Sequence, residues 1–423
     1  VATYADSEGW GVVYSYDAGD RLTEIEYPDG TSDRYTYDKL DLASYQDRQL
    51  RTWTYSHDAD RRLTAITDPS GKQALFAYNG IGELTGLTDP NGNVTSWSYD
   101  IEGRLTGKQY ADSSTVSYTY ENTTSRLHSV LDALGQTKQY SYAEDDRLAA
   151  IAYAGAVNPT PNVGLAYDPY FPRLVSRTDG TGTTHYTYVP VGALGALRLQ
   201  QESSPLPSST IAYAYDALGR LSSRTVAGEG AETFGYDAIG RLVSHASDLG
   251  SFALSYLGQT GQITGRQLAG SSLATTWSYL TAYGDRRLAG ISNVGLSTSQ
   301  YSTYSYTTTP ENFIAAIAET SGSATVYPSP GTQSASYNNV NALTNLSGQA
   351  FTYDAAGNLL SDGQRNYAWD AESRVVGITY PGLTGKATAF AYDGLGRRTA
   401  IASTPTGGGS AFTVSYIWCG SRL

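Results

Sequence analysis

The stretch Asn93-Val94-Thr95-Ser96-Trp97-Ser98-Tyr99 sets the pattern of the chain. β-branched and aromatic residues alternate with small polar ones. A period of two is that of a strand whose two faces differ. Such runs recur along the sequence, and each ends in a turn signal. One turn is Asp-x-x-Gly, with an Asp side chain able to bond its own backbone and a Gly able to take positive φ. The other is Asp-Pro-x-Gly, as at Asp68-Pro69-Ser70-Gly71 and Asp89-Pro90-Asn91-Gly92. There Pro presets φ for the first central position. The pattern predicts strand, turn, strand, turn, and an all-β chain. A helical period of 3.6 is not sustained for three turns anywhere. Asn312–Glu319 (NFIAAIAE) is the one place where the pattern allows a helical turn.

The turns are copies of one another. Tyr16 and Asp17 open YDAGDRL, which closes on Arg21 and Leu22. Tyr99, Asp100, Gly103 and Arg104 define the next clear copy. Tyr215, Asp216, Gly219 and Arg220 define another, and Tyr236, Asp237, Gly240 and Arg241 follow it. Tyr353, Asp354 and Gly357 belong to YDAAGNL, and Tyr392, Asp393, Gly396 and Arg397 to YDGLGRR. Degenerate copies fill the gaps, among them YDKLDLA from Tyr37, YNGIGEL from Tyr78 and WDAESRV from Trp369. The step is about 21 residues, which gives about 19 copies and roughly 38 strands. That is far beyond the ten or so strands an open twisted sheet reaches without curling. A lone hairpin is marginal in water, so the copies must stack edge to edge. The expectation is one continuous array over 1–423. Two Pro-bearing, loop-rich stretches, 149–212 and 296–336, interrupt its rhythm.

Composition sharpens this reading. There are 36 Tyr against 8 Phe, and 45 Gly in 423 residues. The excess of Tyr suggests a sheet without a thick dry core, in which each ring covers apolar area while its hydroxyl stays bonded or hydrated. A mean hydropathy of −0.35 agrees. The motif Arg is expected to pair with a nearby Asp, in its own or the adjacent copy. A net charge of −12 argues against nucleic acid as the main partner. No apolar run is long enough for a membrane-spanning helix.

Signatures of chemistry are weak. No nucleophile elbow, zinc-protease helix motif or phosphate loop is present. The four His, at 57, 128, 185 and 245, are about three copies apart, so a shared metal is not expected. Glu144-Asp145-Asp146 falls in a turn. Cys419 has no second Cys to pair with and reads as a structural thiol. No cofactor, metal or catalytic residue is expected, and the chain is read as a non-enzyme.

These repeats resemble the YD repeats of the Rhs family, also found in insecticidal Tc toxin shell components and in the extracellular shell of teneurins. Phe351–Gly382 and Tyr392–Ala400 carry the resemblance most clearly. It implies a long β-sheet wound as a spiral into a hollow shell or part of one. In bacterial members the shell encloses a C-terminal toxic effector in cis, cut free by a DPxG-type core. The chain shows no such core and no toxin domain. It starts on Val1 rather than Met, so it is expected to be a piece of a longer protein, and no targeting segment is seen. The two DPxG strings near its start read as plain turns. The implied function is encapsulation of an effector by a secreted or delivered protein, with a secretion apparatus or cell surface as a further partner. The alternative is a secreted or surface module that binds glycans or other cells.

Overall fold

The computed structural model describes residues 1–295, 297, 301–322, 329, 331–407 and 409–420. Of the loop-rich stretch 296–336, residues 296, 298–300, 323–328 and 330 lie outside the described residues. So do 421–423. Among those described, the chain holds 39 strands, one short 3-10 turn (Ala282–Gly284) and no α-helix. The all-β expectation holds, close to the strand number that the repeat gives.

The helical turn allowed at Asn312–Glu319 is not formed. Ile314–Ser321 is a strand, paired antiparallel with Tyr301–Thr308 from Thr308↔Ile314 to Ser302↔Ser321. Asn312 lies in the turn before it with φ 64°. The apolar run Ile314-Ala315-Ala316-Ile317 looks helical in isolation. Its backbone instead bonds the long strand that precedes it, as every other hairpin does.

The chain forms two compact units. The first comprises Val1–Ala77, Leu221–Ser223 and Gly230–Ser329, and the second Tyr78–Arg220, Arg224–Glu229 and Pro330–Leu423. In each, a strand pairs antiparallel with the next strand in sequence. The first unit runs this way from Ala2–Ala5 to Leu63–Thr67 and again from Ala231–Tyr236 to Ile314–Ser321. The second does so from Leu84–Thr88 to Ile211–Tyr215, and again in the hairpins between Thr352 and Ser415.

The pairing is punctuated once per repeat. Just before each motif turn the register shifts by one residue, so that Tyr99 faces Leu105 while Ser98 faces Gly107. The same shift occurs at Tyr16, Tyr236, Tyr353 and Tyr392. A bulge of this kind bends and twists its strand. The pro-rich stretch 149–212 keeps this order. Leu148–Ala154, Val163–Tyr167, Leu174–Asp179 and Gly182–Tyr188 pair in sequence, and the Pro residues fall in the turns between them.

Alternation divides the sheet into two unlike faces. Across three strands of the second unit, Trp97, Lys108 and Val116 stand opposite one another on one face. Ser98, Gly107 and Ser117 do so on the other. Neither face is covered deeply. Among the described residues only Val12, Ala65, Val163, Val189, Ile211 and Ala371 are buried apolar residues, fewer than the buried polar and charged ones. What holds each unit together must therefore be sought in its polar contacts.

Candidate functional site: hairpin junctions and charged clasps

The motif turn closes on itself first. In the copy from Tyr99, the Asp100 Oδ1 accepts the backbone N–H groups of Glu102 and Arg104, at 2.9 and 3.0 Å. The Asp100 carbonyl accepts the N–H of Gly103, whose φ is +78°. Gly219, Gly240, Gly357 and Gly396 take the same left-handed conformation at the same place, and Asp20 takes it without being Gly. The motif Arg then grips its own Asp. Arg21, Arg104, Arg220, Arg241 and Arg397 place Nε 2.7–2.8 Å from Oδ2 of Asp17, Asp100, Asp216, Asp237 and Asp393. In the copy from Tyr353 the Arg is replaced by Asn358, which donates to Asp354 at 3.0 Å.

The rest of the motif reaches the neighbouring hairpin. Arg241 donates to the carbonyls of Gly258 and Thr260 in the next turn, at 2.8 and 2.6 Å. Its guanidinium lies over the ring of the next motif tyrosine, Tyr256, at 4.6 Å. Arg21 lies likewise over Tyr37, and Arg104 over Tyr120. The motif Tyr residues after Tyr16 reach the other way. Tyr99, Tyr215, Tyr236, Tyr353 and Tyr392 donate their hydroxyls to the carbonyls of Leu84, Leu199, Leu221, Leu343 and Val375, at 2.6–2.9 Å. Trp369 and Trp418 make the equivalent bond with Nε1, to Leu359 and Arg398. The position thus selects a flat ring that ends in a donor. Phe has the ring without the donor, which favours Tyr over Phe at this position.

A second layer of contacts joins hairpins far apart in sequence. In the first unit, the 3-10 turn Ala282–Gly284 leads into Asp285 and Arg286, both with positive φ. Asp285 accepts from Arg48 (2.7 Å) and from the Trp10 indole (2.6 Å). Asp29 accepts from Arg48 (2.9 Å) and Arg287 (2.6 Å), while Arg286 holds Asp6 with both terminal nitrogens. Burial pushes the Asp29 carboxyl up. Hydrogen bonds from Thr31 and Arg287, with the charge of Arg48, outweigh that and hold it at about 2.

In the second unit the corresponding cluster is more deeply buried. Arg177 is 2% exposed. It donates to Asp179 (2.7 Å), Asp393 (3.2 Å), the Tyr186 hydroxyl (2.9 Å) and Thr184. Asp179 also accepts the backbone N–H of Gly394, and Arg397 bridges Asp393 and Glu202. Burial alone would raise the Asp179 carboxyl; bonds from Thr181 and Gly394 hold it low. Nearby, Glu372 receives Lys138 and the Tyr153 hydroxyl, and the loop residues Asn158 and Thr160 bond the backbone of Trp369 and Ala371.

Of the residues singled out from sequence, only Asp393 and Arg397 enter such a clasp. Tyr16 is 43% exposed, and the other motif residues serve their turns and the junctions beside them. Asp68 forms a plain turn. Asp89 forms one too, and its Oδ2 also accepts from Asn341. Asp145 and Asp146 pair with Arg147 and Arg126. Cys419 is half-buried. Among the described residues no three His, Cys, Asp or Glu side chains converge to hold a metal, and no helix is long and apolar enough to cross a membrane. Sequence reasoning missed the clasps. The doubled Arg in Asp285-Arg286-Arg287 was no distinguishing signal, since Asp60-Arg61-Arg62 carries the same pair.

The profile of the family described as Teneurin YD-shell matches residues 93–289, and that of the RHS Repeat matches 37–73. The tRNA nuclease WapA of Bacillus subtilis (strain 168) is 37% identical over 67 residues, which is 16% of this chain and 3% of that protein. A solved structure of TcdB2-TccC3-TEV superposes with a TM-score of 0.74 at 15% identity, over 97% of this chain and 27% of that one. The Photorhabdus luminescens Tc holotoxin pore gives 0.53 at 14% identity, over 97% and 26%. The chain thus spans about a quarter of those solved chains and a small fraction of the curated relative. The superpositions show a shared fold.

Proposed function

Because the chain belongs to the Rhs/YD-repeat family, whose repeats and fold support a shell-type role, we propose that it is a section of shell wall that encloses an effector polypeptide. The observation that carries this reading is the junction. Asp, Arg and Tyr of successive hairpins bond one another instead of converging on a pocket, so the repeat's chemistry goes into building a wall. On this reading residues 1–423 are one repeat array, the repeat residues are structural, and the role is not catalytic. The effector lies in the same polypeptide beyond this stretch and is shielded until delivery outside the producing cell. Broad, weak contacts with Ser, Thr and Tyr would hold it, rather than one binding site.

The test uses the whole protein that contains this chain. Under limited proteolysis, its C-terminal polypeptide is expected to survive for as long as the repeat region stays folded. Electron microscopy is expected to show a cavity. Digestion at the rate of the isolated polypeptide, or a solid particle, would overturn the reading.

The match to the teneurin shell over 93–289 favours a second reading, a secreted or surface module that binds glycans or cells. Saturable binding of the repeat region to a glycan array or to cells would support it over containment alone.

A further inference from the structure

One junction in the first unit departs from the motif at three places. In the hairpin that begins at Tyr37, the residue before Leu42 is Asp41, where the motif has Arg. In the next copy the ring position is His57, which faces Leu63 across the same register shift that marks every motif Tyr. The left-handed position of that copy is Arg61, with φ 67°. A non-Gly residue there is held in a sparsely populated backbone conformation, as Asp20 and Asp146 are in other copies.

The consequences follow from the ordinary junction. Elsewhere a phenol ring fills the gap between hairpins and its hydroxyl bonds the carbonyl of the preceding Leu, as Tyr37 does with Leu22 and Tyr99 with Leu84. A motif Arg covers the ring from the other side. At this junction the imidazole is shorter than a phenol, and no hydrogen bond joins it to Leu42. Asp41 supplies no guanidinium and is itself held by Arg61 from the rim, at 2.9 Å. A cavity of about 620 Å³ lies here, lined by Leu42, Asp41, Tyr55, His57, Asp58 and Arg61 among others. That is within the range of small-molecule sites.

We propose that this cavity is a binding site for a phenolic ring, as presented by a tyrosine side chain of a polypeptide partner. The ring lies beside the His57 imidazole in the gap that a motif tyrosine spans in other junctions, and its hydroxyl donates to the Leu42 carbonyl. Asp41 and Asp58 at the wall are paired with Arg61 and Arg62, and Lys39 also lines the cavity, so the charges there are largely matched and suit a neutral ligand. The inference rests on this junction alone and does not depend on the enclosing role.

The test is binding of p-cresol and of toluene to the folded chain, followed by calorimetry and by thermal unfolding. p-Cresol is expected to bind saturably and to raise the unfolding temperature, with toluene at least tenfold weaker because it lacks the donor. His57→Tyr is expected to place its own ring and hydroxyl where the ligand's would lie, abolish cresol binding and raise the unfolding temperature without ligand. His57→Phe is expected to block binding too, with a smaller rise, and so isolates the bond to Leu42. Equal binding of cresol to the wild type and to His57→Tyr, equal binding of toluene and cresol, or no saturable binding would overturn the proposal.

Discussion

At the scale of the residue, the hydroxyl of tyrosine is the feature that the repeat depends on. Tyr120 donates to the carbonyl of Leu105 at 2.9 Å, one hairpin back. A net hydrogen bond of this type contributes about 1 kcal/mol. Tyr120→Phe is therefore expected to destabilise the chain by about 1 kcal/mol in urea unfolding, since it keeps the ring and orphans the carbonyl. Tyr16→Phe, at an exposed site, is expected to change little; equal losses at both sites would count against this account. Backbone conformation matters in the same way. Gly240 has φ +89°, and a Cβ there would meet nothing within 4 Å. Gly240→Ala is thus a pure test of left-handed backbone, expected to cost about 1–2 kcal/mol, with an unchanged fold by circular dichroism. The repeated Tyr and Gly were legible as a turn signature. The acceptor of each hydroxyl was not, because it lies about 15 residues away on the neighbouring hairpin.

At the scale of the element, the motif Arg, where a hairpin carries one, fastens that hairpin to the next. It holds its own Asp, reaches the next turn's carbonyls and covers the next Tyr ring, as Arg241 does. The sequence left open whether the Asp partner lay in the same copy or the adjacent one. The structure places it in the same copy, four residues away, because the Asx turn points both side chains to one side. What crosses to the neighbour is a carbonyl bond and a ring contact. Local alternation was enough to read nearly every strand. It failed at Ile314–Ser321, where an Ile/Ala run satisfies both periods and only the partner strand decides.

At the scale of each whole unit, stability is expected to reside in the buried clasps. Removing Arg177 leaves Asp179, 2% exposed at the side chain, without its cation, and leaves the equally buried Asp393 with Arg397 alone. Arg177→Ala is expected to cost about 3–5 kcal/mol. The loss should appear as faster hydrogen exchange around Asp393–Arg397 as well as around Arg177. Uniform exchange at wild-type rates would show that the clasp contributes little. In the first unit the clasp sets an acid limit. The Asp29 carboxyl sits at about 2 in the folded unit and near 3.9 when unfolded. A depressed carboxyl contributes fully above its unfolded value and loses that contribution as pH falls toward its folded one. Arg286 holds Asp6 low by the same logic. Urea midpoints are expected to be insensitive to Asp29 between pH 7 and 5 and to fall between about pH 4 and 2. Asp29→Asn should flatten part of that fall, and an unchanged acid slope in this variant would exclude Asp29 as a source.

The sequence by itself determined the strands, the turn chemistry, the repeat and the family, because each of these is written within about 21 residues. Periodicity, Asx turns and left-handed glycines act locally, and copies in phase repeat the message many times. Only the tertiary structure decided which hairpins meet. Asp6 with Arg286, Arg48 with Asp285 and Arg177 with Asp393 are each separated by more than 200 residues. No local preference encodes such pairs. They form because a polar sheet with few buried apolar side chains is held together by its charges, and those charges must find partners wherever the stacked hairpins bring them.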